Sequence, residues 1–329
     1  MNRRESVIAL FALGAAVAPL ALRAQAAARV ARIGFLTPSY SSLYKERLAV
    51  FKTGLRALGY VEGENVVIVL KSANKKYDRL PALAAELVKM KVDVIVAAGG
   101  TLATLAAKRA TKTIPIVFPT LGDPVAQGVV ASLARPGGNL TGLSQQSVAV
   151  AEKRVQLFKE IVPPAKRFGF LTNPGISTSM AAIKEVRAAS AARGVEIVVI
   201  GARGRAELDR AFGEMTQKKI DALLVADDAI LVDELEQIAS LALKQKIPTM
   251  GGNPVVPEGG GLASYGPNRL AMYERAAAYV DKILKGAKPA ELPVELAPKF
   301  DFVINMKTAR SIGLAVAPAV LQRADWVIE

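Results

Sequence analysis

Two short stretches combine residue types and spacing that suit chemistry, Asp227-Asp228 and Gly99-Gly100-Thr101. Two adjacent carboxylates exceed what one helix start needs. One can cap the helix that opens near Ala229, and the other can hold a ligand ammonium through a charge-assisted hydrogen bond. Gly99-Gly100-Thr101 leads into the helical run Leu102 to Arg109. Glycine lets the backbone approach a ligand closely, and the free N–H groups and positive dipole end of a helix start favour a carboxylate. Thr101 acting only as the cap of its own helix is the competing reading. An anion seat facing a cation seat suits a zwitterion such as an amino acid. There is no P-loop spacing and no GxGxxG, which argues against a nucleotide phosphate.

The chain of 329 residues contains no cysteine and no histidine. That excludes disulfides, thiolate nucleophiles, Cys/His zinc sites and every Ser-His or Cys-His catalytic arrangement. A hydrolase or lyase would have to work through Asp227 or Asp123 without a histidine or cysteine partner, and no GxSxG elbow is present. The expectation is therefore a protein that is not an enzyme, with no cofactor and no metal.

The elements that hold these stretches follow from pattern. Hydrophobic residues at 51% and charged residues at 22% give an ordinary globular balance, and the length suggests about two domains. Arg32-Ile33-Gly34-Phe35-Leu36-Thr37-Pro38 reappears as Arg167-Phe168-Gly169-Phe170-Leu171-Thr172-Asn173-Pro174. Helical stretches end at Leu58-Gly59 and at Arg193-Gly194, each with glycine placed for a left-handed C-cap. Lys91-Val92-Asp93 matches Lys219-Ile220-Asp221, and Ile114-Pro115 matches Ile247-Pro248. Four landmarks recur in one order at a nearly constant offset. Each half reads strand–helix–strand–helix–strand–helix–strand, and its strands are continuous apolar runs of the kind buried on both faces of a parallel sheet. The predicted fold is α/β, with two similar doubly wound parallel-sheet lobes and a cleft between them.

In such sheets a ligand binds beyond the carboxyl ends of the strands. That rule selects the loops with Ser39 and Tyr40, Gly100 and Thr101, Asp123, Asn173, and Asp227 with Asp228. Tyr44 and Tyr265 are candidate walls, although buried tyrosines commonly serve packing.

The first residues read as an address. Arg3-Arg4 precedes the apolar stretch Val7 to Leu22, and Ala24-Gln25-Ala26 has the small-x-small pattern of a signal-peptidase site. A signal peptide over residues 1–26 is expected, with export to the periplasm by the Sec or twin-arginine route. Its removal lowers the formal charge of +14 by two. The remaining lysines and arginines are scattered and aromatics are few at 5%, so nucleic acid is not an expected partner.

Several further segments match a known family. They include Gly54-Leu55-Arg56-Ala57-Leu58-Gly59-Tyr60-Val61-Glu62-Gly63, Ile114-Pro115-Ile116-Val117-Phe118 and Gly122-Asp123-Pro124-Val125. Ser132-Leu133-Ala134-Arg135-Pro136-Gly137-Gly138-Asn139-Leu140-Thr141-Gly142, Ser264-Tyr265-Gly266-Pro267 and Val303-Ile304-Asn305-Met306-Lys307-Thr308-Ala309 extend the match over nearly the whole chain. The sequence resembles the periplasmic substrate-binding proteins of ABC transporters with the type I periplasmic-binding-protein fold, in the branch of tryptophan/tyrosine-type binding proteins. The resemblance implies two lobes joined by three crossover strands, a small-molecule ligand trapped by hinge closure, and delivery to a membrane permease driven by an ATPase subunit. A monomer is expected. A ligand-sensing receptor module of the same fold is the alternative. Lobe 1 is expected at 28–142 with about 268–287, and lobe 2 at 143–265 with about 288–329.

Overall fold

The structure is a computed structural model that describes residues 30–176 and 179–329, so the expected signal peptide lies outside the described residues. No helix among the described residues is long and apolar enough to cross a membrane.

The first lobe runs β1 (Ala31–Thr37), α1 (Ser42–Ala57), β2 (Val66–Ser72), α2 (Leu80–Lys89), β3 (Val94–Ala97), α3 (Gly100–Ala110), β4 (Ile116–Leu121) and β5 (Leu140–Ser144). The second runs α4 (Ser147–Ile161), β6 (Arg167–Thr172), α5 (Ser179–Ala191), β7 (Glu196–Gly201), α6 (Leu208–Gln217), β8 (Ala222–Val225), α7 (Ala229–Val232), α8 (Leu235–Lys244), β9 (Thr249–Gly251), α9 (Val255–Glu258) and β10 (Ala263–Pro267). The chain closes with α10 (Arg269–Leu284), β11 (Glu295–Leu296), β12 (Phe300–Asn305), α11 (Met306–Ser311), α12 (Pro318–Leu321) and β13 (Trp326–Ile328).

The first sheet has the order β11-β5-β4-β3-β1-β2, and the second β13-β12-β10-β9-β8-β6-β7. Their common part is one topology used twice, β2-β1-β3-β4-β5 and β7-β6-β8-β9-β10, parallel throughout; β12 joins antiparallel to β10. This is the doubly wound α/β fold the sequence pattern indicated. The repeat holds at single-residue register. Gly34 lies opposite Val69 and Ile95, and Gly169 opposite Val198 and Leu223.

Alternation along the strands explains the layers. Val94 and Val96 join Ile33, Phe35 and the α1 residues Leu48, Phe51 and Leu55 in one core cluster. Their neighbours Ile95 and Ala97 point the other way, into a cluster with Leu36 and the α2 residues Leu83, Ala84 and Leu87. A strand buried on both faces needs apolar residues at every position, which is what these runs supply. Phe51 is fully buried, and truncating such a ring to alanine costs about 3–5 kcal/mol.

Three short connections cross between the lobes, from β5 to α4, from β10 to α10 and from β11 to β12. α10 returns to the first lobe and lays Met272, Tyr273, Ala276, Ala277 and Val280 onto the core beside α1. Gly54 permits this approach, because a Cβ there would sit 2.9 Å from the Ala277 Cβ. The third crossing falls later than the position near 288 suggested by the sequence. β11 pairs with β5 in the first sheet. The stretch before it is held there by Thr141 Oγ1 donating to the Leu292 carbonyl at 2.7 Å and by Arg275 gripping Glu295 with two bonds of 2.7 Å.

Candidate functional site

A strand order of 2-1-3-4-5 reverses direction between its first and third strands, and the crevice there opens at the strands' carboxyl ends. In this protein the two crevices face each other across a cavity of about 450 Å³, a volume suited to a small ligand. The loop after β3 contributes Gly99, Gly100 and Thr101, and the loop after β8 contributes Asp227 and Asp228. The apolar walls come from Leu102, Leu105, Val150, Phe170, Val186 and Val232.

Gly99 has φ 152° and Gly100 φ 63°. A side chain at Gly99 would run into the Pro38 ring, so glycine is required where the chain turns into α3. No side chain caps this helix start. Thr101 instead donates its hydroxyl to Gln127 Oε1 at 3.1 Å. The first N–H groups of α3 are thereby left to the cavity and its contents.

Asp227 and Asp228 do different work. Asp228 caps α7, its Oδ1 accepting from the Ile230 and Leu231 N–H groups at 3.0 and 2.9 Å. Its Oδ2 is buried without a hydrogen-bond partner. Burial pushes its pKa up to about 6, opposed by those two N–H groups and by the backbone of Asn173, and assisted by the charge of Asp227. Asp227 is held by two guanidinium groups, Arg154 at 2.7 Å and Arg269 at 3.2 Å. Burial works to raise its pKa, but the two arginines overcome that effect and hold it below the ordinary carboxylate value.

Three helices supply the cationic side of the cavity. Arg154 on α4 also donates Nε to the Tyr265 carbonyl at 3.0 Å. Arg269, the first residue of α10, reaches the Gly252 carbonyl and lies 3.3 Å from Gln145 Oε1. Gly252 must be glycine, because a Cβ would enter the space of the Arg154–Asp227 pair. Arg47 on α1 lies over the Tyr44 ring at 4.9 Å and near that of Tyr273 at 5.8 Å. All three arginines are buried, at 4%, 8% and 9% exposure for Arg47, Arg154 and Arg269.

Of the residues selected from sequence, Gly100, Thr101, Asp123, Asp227 and Asp228 line the cavity together. Asp123 also braces its own turn, accepting from Val125 and Ala126 N–H at 3.0 and 2.9 Å. Ser39, Asn173 and Tyr265 lie outside the lining. Ser39 donates to Asp233 Oδ1 at 2.7 Å. Asn173 folds the turn after β6, accepting from Gly175 N–H at 2.8 Å. The Tyr265 ring stacks on Phe300 with centroids 6.0 Å apart, and only its carbonyl serves the site, by holding Arg154. The arginines were missed from sequence. A signal did exist, since each occupies the apolar stripe of its helix: Arg47 between Tyr44 and Phe51, Arg154 between Val150 and Phe158, Arg269 before Met272 and Tyr273.

Beside the cavity the lobes touch through polar groups. Asp233 accepts from Ser39, from Ser41 at 3.4 Å and from Tyr77 at 3.0 Å. Lys75 donates to the Asp233 carbonyl at 3.2 Å and pairs with Glu234 at 2.9 Å.

Two matched α/β lobes, three crossings and a charged cavity between them define a type I periplasmic-binding-protein architecture. The family described as ABC transporter substrate binding protein matches residues 38–328, and this chain belongs to it. The tyrosine-binding protein of Clostridioides difficile (strain R20291) is 28% identical over 275 residues, 84% of this chain and 78% of that one. An ABC domain from Streptococcus pneumonia, solved in complex with L-Trp, is 27% identical and superposes with a TM-score of 0.85, covering 91% of this chain and 99% of that chain. A ligand-free, open substrate-binding protein with adhesive properties from Clostridium difficile is 25% identical over the same shares and superposes at 0.68.

Proposed function

We propose that this protein is the exported solute-binding component of an ABC importer, trapping a small amino acid or amino-acid-like acid between its lobes and delivering it to a membrane permease with its ATPase. The observation that carries this reading is the interlobe cavity, whose walls combine arginines, an open helix start, aspartates and an apolar side. A zwitterion with an apolar side chain matches that set. The aromatic amino acids named for the two relatives are members of the class. Gly100, Thr101, Asp123, Asp227 and Asp228 face the ligand in this reading, and the orphaned Oδ2 of Asp228 receives its ammonium.

The mechanism is a population shift. Contacts from both lobes exist only when the lobes approach, so a ligand that makes them favours the closed form. The better superposition on the L-Trp complex than on the open ligand-free structure supports a closed disposition here, as do the bonds converging on Asp233. The protein binds and releases its ligand unchanged.

Calorimetric titration of ligand-stripped protein with the amino acids tests the reading, with X-ray scattering to follow closure. One-to-one binding, a smaller radius of gyration and no product are expected. A ligand at a hundredfold excess over Kd stabilises the native state by about 2.7 kcal/mol, which thermal melting detects. Turnover of a bound compound, or closure driven only by compounds unrelated to amino acids, would overturn it.

A further inference from the structure

Of the three arginines at the cavity, Arg154 and Arg269 share Asp227, and Arg47 has no carboxylate partner among the described residues. It is 4% exposed, and its Nε is buried without a hydrogen-bond acceptor. The Tyr273 hydroxyl beside it meets Arg47 and Thr120 and brings no charge to balance the guanidinium. Burial raises the pKa of both neighbouring phenols, Tyr44 and Tyr273, so they offer Arg47 aromatic faces and no negative charge. A guanidinium stays charged at physiological pH, and a buried charge without a counter-charge is a costly state that a folded protein keeps for a reason. Arg47 lines the interlobe cavity, so the missing counter-charge has a place to enter.

We propose that Arg47 seats a carboxylate of the ligand and is the residue that makes the site choose an acid over its amide or amine. The inference rests on the reading of the interlobe cavity as the ligand site. The planar guanidinium matches a carboxylate in two parallel bonds, a geometry that the neutral amide and the ammonium group cannot provide. Arg154 and Arg269 remain committed to Asp227, which fixes the wall against which the ligand is aligned.

The test is calorimetric titration of the ligand-stripped protein with matched probes: L-tyrosine, L-tyrosinamide and tyramine; L-tryptophan, L-tryptophanamide and tryptamine; and the ammonium-free acids phenylacetate, benzoate and succinate. Wild type is compared with Arg47→Gln and Arg47→Lys, each checked for a cooperative melt. In the wild type, acids bind roughly 30- to 1,000-fold more tightly than their amides. Arg47→Gln brings that ratio close to one, and Arg47→Lys, which keeps the charge but not the fork, restores part of it. If Arg47→Gln fails to fold, the wild-type ratio and its partial loss in Arg47→Lys decide the matter. Equal binding of acid and amide, or an unchanged ratio in a folded variant, overturns the role of Arg47 and leaves the amino-acid reading standing. Binding of the plain acids without the amino acids overturns the amino-acid reading and supports Arg47. If no carboxylate binds at all, the seat is refuted.

Discussion

The two lobes share one strand order and one register about Gly34 and Gly169, and differ in what they place at the strand ends. After β3 the first lobe has Gly99 and Gly100 at positive φ and an uncapped helix start. After β8, the equivalent place, the second lobe has two carboxylates, one capping a helix of four residues and one locked between arginines. Strand positions are constrained by burial on both faces, so the two copies stay alike. The loops answer only to their contents, and there the first lobe offers positive ends and the second negative ones. Opposed chemistry on a repeated frame gives a cavity with direction, which suits a ligand that has two unlike ends.

The largest effect expected from breaking this contrast is at Asp227. Asp227→Ala leaves Arg154 and Arg269, 10% and 9% exposed at their side chains, without their shared carboxylate. Removing one partner from a buried ionic group costs about 3–5 kcal/mol, and urea unfolding of the ligand-free variant measures it. A loss below about 1 kcal/mol would mean that the arginines find other partners and that the negative end of the second lobe is not structural.

Asp228 separates from its neighbour through pH. Its folded pKa of about 6 stands above the ordinary 3.8. Well below pH 3.8 the carboxyl is protonated in both folded and unfolded chains and contributes no pH dependence. Between pH 4 and 6 the unfolded chain ionises freely while the folded chain resists, so stability falls as pH rises and levels off above about 6. The expected size is on the order of 3 kcal/mol. Asp228→Asn keeps the capping oxygen and removes the titration. Thermal melts of both proteins from pH 4 to 7 should therefore diverge in favour of the variant as pH rises. Parallel curves would place Asp228 in water and remove it from the ligand's ammonium end.

A smaller effect is expected where the lobes touch outside the cavity. Asp233→Ala removes the acceptor shared by Ser39, Ser41 and Tyr77 and leaves the cavity lining intact. Apparent affinity scales with the fraction of binding-competent protein, so affinity for any bound amino acid should weaken by about tenfold. Scattering should show a more open ligand-free form. An unchanged affinity would confine closure to the ligand's own contacts.

These outcomes bear on what a sequence reveals. The repeat was legible because Gly34 and Gly169, or Asp93 and Asp221, sit in local patterns that a single strand–helix unit imposes. The loops after β3 and β8 were legible because topology dictates where strand ends face. Arg47, Arg154 and Arg269 are far apart in the chain and meet at the cavity only when α10 returns to the first lobe, so neither their meeting nor the sharing of Asp227 by Arg154 and Arg269 had a local signature. β11, with two residues, is too short to show a period, and its place beside β5 depends on Glu295 and Thr141, distant in sequence. Ser39 occupies a loop that topology selects, but its side chain turns to the other lobe, and Tyr265, inside β10, gives its ring to an aromatic stack.

The smallest effect tests the likeness of the lobes. Asp93 accepts the Arg32 N–H at 2.7 Å at the start of β1. Its counterpart Asp221 accepts the Lys166 and Arg167 N–H groups at 2.8 Å each at the start of β6. The residues two positions before them, Lys91 and Lys219, have φ of 51° and 52°, so the same turn delivers both carboxylates. Each site is exposed, so water can replace the lost acceptor, and alanine at either position should cost about 1 kcal/mol. Chemical denaturation of the two single variants and the double variant measures this, and additivity within about 0.5 kcal/mol is expected of sites in separate lobes. A strong departure from additivity would show that the strand starts of the two lobes sense each other through the crossings, making the frame one cooperative unit where the register suggests two copies.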